Sequence, residues 1–137
     1  MIKFSKKILL VGLSIFTGVV FLIINKLPLA DRREKIVLNI DGKDYVLLTA
    51  RTVLEKAKGL SEIKELKNAN GMIFYFEPRS KPTFWNKNTH LDLEIIWMAD
   101  GKIVGRDFLP SEDKAGLIAK KSPQEIDWVV EIVKVNN

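Results

Sequence analysis

Residues 71–98 read GMIFYFEPRSKPTFWNKNTHLDLEIIWM and hold the densest apolar and aromatic patterning of the 137-residue chain. Residues 72–76 form a continuous apolar run, which is typical of a strand buried on both faces. Over residues 91–98, apolar positions alternate with mixed ones, which predicts a second strand with one wholly apolar face. Two prolines interrupt the extended pattern between these runs. The stretch therefore predicts two strands of a central sheet and a loop that joins them.

The flanking sequence adds further strands and one short helix. Asp41 and Gly42 separate two apolar runs and predict a hairpin over residues 36–48. Thr52 and Glu55 have the spacing of a capping box, so a helix is predicted over residues 53–58. Further strands are predicted after the turn at residues 100–101 and over residues 128–135, and long loops are predicted at 60–70 and 111–124. The inward face of the last strand stays open between two alternating sets.

This element pattern indicates a mainly β fold of the β-rich α+β class. Strand pairs at short spacing with one short helix predict an antiparallel sheet, either closed into a compact barrel or folded into a sandwich. A transmembrane helix is predicted to precede this domain.

The N-terminal residues have a composition of their own. Lys3, Lys6 and Lys7 precede residues 8–24, which contain no charged side chain. As a helix this run would extend about 26 Å at roughly 1.5 Å per residue, close to a thin hydrocarbon core. The run is longer than the apolar region of most cleaved signal peptides and lacks a good cleavage site. It predicts an uncleaved signal-anchor, with a cleaved signal peptide as the alternative.

This assignment divides the chain into four parts. They are a basic cytoplasmic N-terminus (1–7), a transmembrane signal-anchor (8–24), a charged linker (25–35) and one β-rich domain (36–137). The lysines before the apolar run favour a cytoplasmic N-terminus. We therefore expect a single-pass protein of the cell membrane with its C-terminal domain outside the cytoplasm, or a secreted domain if the N-terminal segment is cleaved. The lipid bilayer is the expected partner of residues 8–24.

Charge and composition exclude several classes of function. Four of the 22 basic residues lie in the first 30 residues, which contain no acidic side chain, so the remainder carries 18 basic against 17 acidic residues. A nearly neutral domain gives no electrostatic case for nucleic-acid binding. The chain has no Cys and one His, which excludes disulfides, thiolate chemistry and a multi-His metal site. No phosphate-cradling or dinucleotide motif is present, and neither a metal nor a cofactor is expected.

The candidate binding residues lie between the two central strands. Phe84, Trp85, Lys87, Asn88 and Thr89 are predicted to bind a ligand, because aromatic faces pack on sugar or aliphatic rings while ammonium, amide and hydroxyl groups fix polar atoms. The alternative is structural: Trp85 belongs to the core, and the polar side chains cap their own loop with an Asn in a left-handed turn.

Two carboxylates give a second hypothesis. Asp92 and Glu94 are two positions apart, hence on one face of a strand, and could serve as acid and base on a glycan or ester bond. Lys87 would then stabilise developing negative charge. More often such a pair is a solvated strand face balanced by nearby lysines. A mixed metal site with His90 is a weaker reading of the same residues.

Several stretches resemble motifs of the DUF192 (UPF0127) family of uncharacterised proteins, over roughly residues 50–132. They are ARTVLEKAKGL at 50–60 for its helix motif, GMIFYF at 71–76 for its GMLFxF strand, FWNKNT at 84–89 for its FWMKNT signature, LEI at 93–95 for its PLDI segment, and WVVEI at 128–132 for its closing YVLEL strand. Asn86 stands where the family usually has Met, and Asp92 where it has Pro. The resemblance implies a compact β-rich barrel or sandwich, frequent export or membrane anchoring, and no settled activity.

Two functions follow as hypotheses. The first is a membrane-anchored extracytoplasmic module that binds a small molecule, an envelope glycan or a protein through residues 84–89. The alternative is a cell-envelope glycan-active hydrolase or lyase that uses Asp92 or Glu94 together with Lys87.

Overall fold

A computed structural model describes residues 33–135 of the chain. The elements in this range are, in chain order, β1 (Lys35–Ile40), β2 (Lys43–Ala50), α1 (Val53–Lys58), β3 (Gly71–Ser80), β4 (Thr83–Trp85), β5 (Leu93–Ala99), β6 (Lys102–Leu109), α2 (Glu112–Ala115), β7 (Ala119–Lys121) and β8 (Ile126–Val133). The predicted membrane helix at 8–24 lies outside the described residues. Within the described range, neither helix has the length and apolarity needed to cross a bilayer.

Six strands form the main sheet in the order β1-β2-β3-β8-β5-β6, and β4 pairs with β7 in a separate two-stranded ribbon. Every pair is antiparallel except β2 with β3, which run parallel. A parallel pair needs a crossover connection, and here it contains α1 and the loop at 60–70. The sheet is therefore mixed rather than wholly antiparallel.

The mainly β fold with a short helix is confirmed, but the predicted closed barrel is wrong. β1 and β6 stand at opposite edges of the main sheet, and in the described part of the chain no strand pairs them. Of the predicted sandwich, only the two-stranded ribbon supplies a second β layer. The parallel crossover explains the open sheet, because it places the β1–β2 hairpin beyond β3 and away from β6.

Both faces of the central strands are buried, as the run at 72–76 predicts. On the face that we call the core face, Ile73, Val130 and Ile96 pack with the β1–β2 hairpin. On the opposite face, which we call the cavity face, Met72 pairs with Glu131, and Phe74 with Val129. The last strand thus buries both of its alternating sets, which is why its sequence alone favoured neither.

The local signals at the N-terminal side act as predicted. Asp41 and Gly42 both have positive φ, as a two-residue hairpin turn requires. The Thr52 hydroxyl accepts from the Glu55 amide at 3.2 Å, and the Glu55 carboxylate accepts from the Thr52 amide at 2.9 Å. This capping box starts α1 at Val53, and Gly59 ends the helix with a φ of 48°.

Three boundaries differ from the prediction, and one of them is that of β8, which spans Ile126–Val133 rather than residues 128–135. β3 continues to Ser80, although residues 77–82 were expected to break it, and its pairing with β8 shifts register between Tyr75 and Ser80. The predicted loop at 111–124 contains α2 and β7. The backbone groups of β4 need hydrogen-bond partners. In the described range, β7 is the only strand that pairs with residues 83–85, which explains why a strand forms inside the predicted loop.

We predict that Gly71→Ala strongly destabilises the fold. A Cβ at residue 71 would lie 1.8 Å from the carbonyl oxygen of Glu131, which is backbone and cannot swing away. The free energy of unfolding, measured by urea denaturation, should fall by about 3 kcal/mol or more. Gly105→Ala is the control, because its new Cβ would meet only side chains, at 3.1 and 3.2 Å. Equal losses in the two variants would contradict the close approach of β3 to β8.

Candidate functional site

A cavity of about 450 Å³ opens on the cavity face of the main sheet. Its volume lies in the range of small-molecule sites. One wall comes from α1 and the turn after it, and the other from residues 82–89. The lining residues are Lys56, Ala57, Lys58, Gly59, Leu60, Ser61, Phe74, Phe76, Pro82, Thr83, Phe84, Trp85, Lys87, Asn88, Thr89 and Glu131.

The five residues predicted to bind a ligand all line this cavity. They are Phe84, Trp85, Lys87, Asn88 and Thr89. Their neighbours on the opposite wall come from a part of the chain that lies about 30 residues earlier, so the cavity exists only because the crossover between β2 and β3 returns across this face. The geometry brings these side chains to one concave surface. That they bind a ligand stays a prediction.

The two aromatic residues have different environments. Phe84 packs edge-to-face against Phe74 at 4.9 Å and Trp97 at 5.6 Å between ring centroids, which fixes β4 on the main sheet. Trp85 is 57 % exposed and does not belong to the core. The Lys87 ammonium lies 5.3 Å from the centroid of the Trp85 ring. One aromatic residue therefore anchors the wall, while the next is open to contact.

Asn86 holds the wall in place from inside. Its side chain is fully buried, and its amide nitrogen donates to the carbonyl oxygens of Pro110 at 2.9 Å and Gly116 at 2.8 Å. Its side-chain oxygen accepts from the Ile118 amide at 2.7 Å. Three side-chain hydrogen bonds thus tie residue 86 to the connection from β6 to β7, so this departure from the usual Met of the resembled motif has a structural role.

Asn88 and Thr89 take part in shaping their own loop. Asn88 has a φ of 55°, the left-handed conformation that Asn tolerates well, and its backbone amide donates to the Glu112 carboxylate. Thr89 is buried, and its hydroxyl lies 3.5 Å from the Lys87 carbonyl oxygen. The structural alternative therefore describes part of this loop, and it is compatible with the loop lining a cavity.

Three lysines give the cavity a positive rim. The Lys56 ammonium donates to the Tyr75 carbonyl oxygen at 3.1 Å and lies 4.9 Å from the Phe76 ring centroid. Lys58 forms an ion pair with Glu62, and this hydrogen bond lowers the pKa of that carboxyl. Among residues 33–135, Lys56 and Lys87 form no ion pair with a carboxylate. Two ammonium groups at the cavity thus lack a carboxylate partner in the described part of the chain.

Glu131 forms the floor of the cavity and was not singled out from the sequence. It is 4 % exposed, and no hydrogen bond or ion pair joins its carboxyl group to another group of the described chain. Burial raises its pKa to about 8. The sequence signal was a single acidic residue inside the apolar run at 128–133, which is informative only once β8 is known to be buried on both faces.

The proposed catalytic carboxylates lie outside the cavity. Asp92 is buried before β5, accepts from the Ser111 amide at 2.9 Å and forms an ion pair with Lys114. Glu94 pairs with Lys134 at 2.9 Å and with Arg106 at 2.7 Å. These hydrogen bonds, that of Lys134 first, lower the pKa of Glu94, opposite to what a general acid needs. Neither carboxylate belongs to the cavity lining that contains Lys87.

The single histidine is engaged elsewhere. His90 Nδ1 lies 2.7 Å from the Asp113 carboxylate. In the range 33–135, no three His, Cys, Asp or Glu side chains are grouped in a way that could hold a metal ion.

Comparisons with known proteins identify relatives by sequence and by fold. The model of DUF192, described as "Uncharacterized ACR", matches residues 36–134. A crystal structure of a proposed transcription regulator from Sinorhizobium meliloti 1021 is similar, with 22 % identity, a TM-score of 0.61, and coverage of 74 % of this chain and 81 % of that one. A protein of unknown function from Novosphingobium aromaticivorans DSM 12444 has 25 % identity, a TM-score of 0.51 and coverage of 79 % and 86 %. A search of curated proteins finds no match.

We predict that Glu131 makes the domain less stable as the pH rises. Its pKa of about 8 in the folded chain exceeds the ordinary value of 4.5, so the folded state holds a proton that the unfolded state has lost. The resulting stability is complete below pH 4.5 and is lost as the pH rises toward 8. The free energy of unfolding of the wild type, relative to Glu131→Gln, should fall by roughly 4 kcal/mol across this range.

Urea denaturation at several pH values measures this difference, and Glu94→Gln is the matched control. Because the pKa of Glu94 is lowered, the difference between wild type and this control should stay constant above its ordinary pKa. A wild-type curve parallel to that of Glu131→Gln would show that Glu131 is charged in the folded protein.

Proposed function

The chain belongs to the DUF192 family, and we propose that its described domain is a small-ligand binding module whose site is the cavity between α1 and residues 82–89. One observation carries the proposal: the exposed Trp85, Lys87 and the buried Glu131 line the same concave surface, and within residues 33–135 neither Lys87 nor Glu131 forms an ion pair. Trp85 and Lys87 lie in one segment of the sequence, whereas Glu131 comes from β8.

The chemistry of the cavity supports binding of a small molecule. Small-molecule sites are concave and largely apolar with a few polar groups that fix orientation. Here four aromatic residues supply apolar surface: Phe74, Phe76, Phe84 and Trp85. An unpaired buried carboxyl group costs free energy in the empty protein, and a ligand that forms a hydrogen bond with it recovers that cost.

The geometry favours binding over the glycan hydrolase or lyase that uses Asp92 or Glu94. That mechanism requires at least one carboxylate to meet Lys87 in a common site. Asp92 and Glu94 are instead paired with Lys114, Lys134 and Arg106 outside the cavity. We therefore propose ligand binding, rather than glycan hydrolysis or elimination, as the function.

We further propose that this module is anchored to the cell membrane through residues 8–24 and faces the outside of the cytoplasm. The support is the charge-free run after Lys3, Lys6 and Lys7, whose length suits a membrane-spanning helix. A site held at the membrane surface would meet ligands of the cell envelope, either small molecules or glycans, and a protein partner is the remaining possibility.

We predict that ligand binding depends on Trp85 and Lys87. The full chain in mild detergent should bind at least one member of a panel of neutral sugars, sugar acids, aromatic acids, amino acids and nucleotides. Isothermal titration should show that Trp85→Ala and Lys87→Ala each weaken this binding by about tenfold, because they remove stacking surface and a charged donor.

Two matched controls make this test specific. Lys81→Ala removes an exposed lysine near the same strand, and Phe108→Ala removes an aromatic side chain that is 52 % exposed; neither residue lines the cavity. Both should bind as the wild type does. Equal losses in the controls and the cavity variants, or no binding by the wild type, would reject the cavity as the site.

We predict that the full chain stays in the membrane fraction after alkaline carbonate extraction. Val19→Glu combined with Val20→Glu places two charges in the apolar run and should release the chain into the soluble fraction. Val19→Leu combined with Val20→Leu should leave it in the membrane. Protease added to spheroplasts should digest the domain at the C-terminal side, and full protection would contradict the proposed orientation.

A further inference from the structure

The residues that line the cavity indicate a chemical class of ligand, and this inference rests on the proposed binding function. The first observation concerns the floor. Glu131 is almost fully buried and unpaired in the described chain, yet it lines the open space. A protonated carboxyl group has one donor and one acceptor, and a hydroxyl group has the same complement. One ligand hydroxyl group can therefore accept a hydrogen bond from one oxygen of the Glu131 carboxyl group and donate a hydrogen bond to the other.

The second observation concerns charge. The lining contains three lysines and one acidic residue, Glu131, whose burial raises its pKa to about 8 and keeps it neutral at neutral pH. Lys58 is neutralised by Glu62, which leaves the ammonium groups of Lys56 and Lys87 without a carboxylate in residues 33–135. An excess of unpaired positive charge in a partly desolvated site favours an anionic ligand.

The third observation concerns the walls. Trp85 is largely exposed, and three residues with hydroxyl or amide side chains, Ser61, Thr83 and Asn88, line the same space. A plain aromatic acid would stack on Trp85 but would leave these polar groups and the floor without ligand partners. A hydroxylated ring has one apolar face for stacking and a rim of hydroxyl groups for hydrogen bonding.

We propose that the cavity binds a six-membered sugar ring that carries one carboxylate. The ring packs against Trp85, the carboxylate binds Lys87 and Lys56, and a ring hydroxyl forms hydrogen bonds with Glu131. Envelope glycans and free sugar acids share this chemistry, and the choice of probes separates them.

The test uses two pairs of probes, and each pair consists of a neutral sugar and a derivative of it that carries one carboxylate. N-acetylmuramate is compared with N-acetylglucosamine as the envelope type, and glucuronate with glucose as the free sugar type, by isothermal titration of the full chain in detergent. In at least one pair the acid should bind tighter than the neutral sugar by about tenfold. Lys87→Ala and Lys56→Ala should reduce this preference, while Lys81→Ala should preserve it. Equal affinities within both pairs would overturn the carboxylate assignment.

The role of the floor is tested with two variants of one residue. Glu131→Leu removes the hydrogen-bonding atoms and should weaken binding of the preferred sugar by about tenfold. It should still fold, because an apolar side chain at a buried position without partners removes an unpaired group, and urea denaturation checks this. Glu131→Gln keeps a donor and an acceptor and should retain binding. Unchanged affinity in folded Glu131→Leu would overturn the floor assignment.

The outcome separates this inference from the function on which it rests. If neither sugar acid binds but another compound of the panel does, with a loss in Trp85→Ala and Lys87→Ala, the ligand class is wrong and the binding function stands. If no compound binds, both are wrong.

Discussion

The close approach of β3 to β8 is the constraint on which the rest of the structure depends. Gly71 begins β3 against the backbone of Glu131 and Ile132, where a Cβ would come within 1.8 Å of a carbonyl oxygen. This spacing lets β8 pair with β3 on one side and β5 on the other, in the centre of the main sheet. Because β3, β8 and β5 are then buried on both faces, the apolar side chains of each strand pack on both the core face and the cavity face.

The same pairing creates the cavity floor. Glu131 lies opposite Met72 on β3 and Ile95 on β5, so its side chain emerges on the cavity face between two apolar neighbours. The ribbon of β4 and β7 covers part of this face through Phe84, and α1 returns over the other part. What remains open between them is the cavity. A carboxyl group that an ordinary core would exclude thus lines the cavity.

In the 84–89 segment, side chains that are held in place by packing alternate with side chains that are exposed. Phe84 and Asn86 point inward, where they pack on aromatic rings and bond three backbone groups. Trp85 and Lys87 point outward with an ammonium over the indole ring. Alternation along a short strand places anchoring and exposed side chains on opposite faces. If this segment binds a ligand as proposed, such a support reduces the reorganisation that binding requires.

The elements whose signals are local could be predicted from the sequence. The hairpin at Asp41 and Gly42, the capping box of α1, the doubly buried strand at 72–76 and the family motifs all follow from neighbouring residues, as does the grouping of Phe84 to Thr89 on one segment. The remaining features depend on the tertiary structure. The parallel crossover that keeps the sheet open, the pairing of Asp92 and Glu94 with distant cations, and the presence of Glu131 in the same cavity lining as Trp85 and Lys87 depend on contacts between residues far apart in the chain. Such contacts are set by which strands meet and in which register, and no local pattern encodes them.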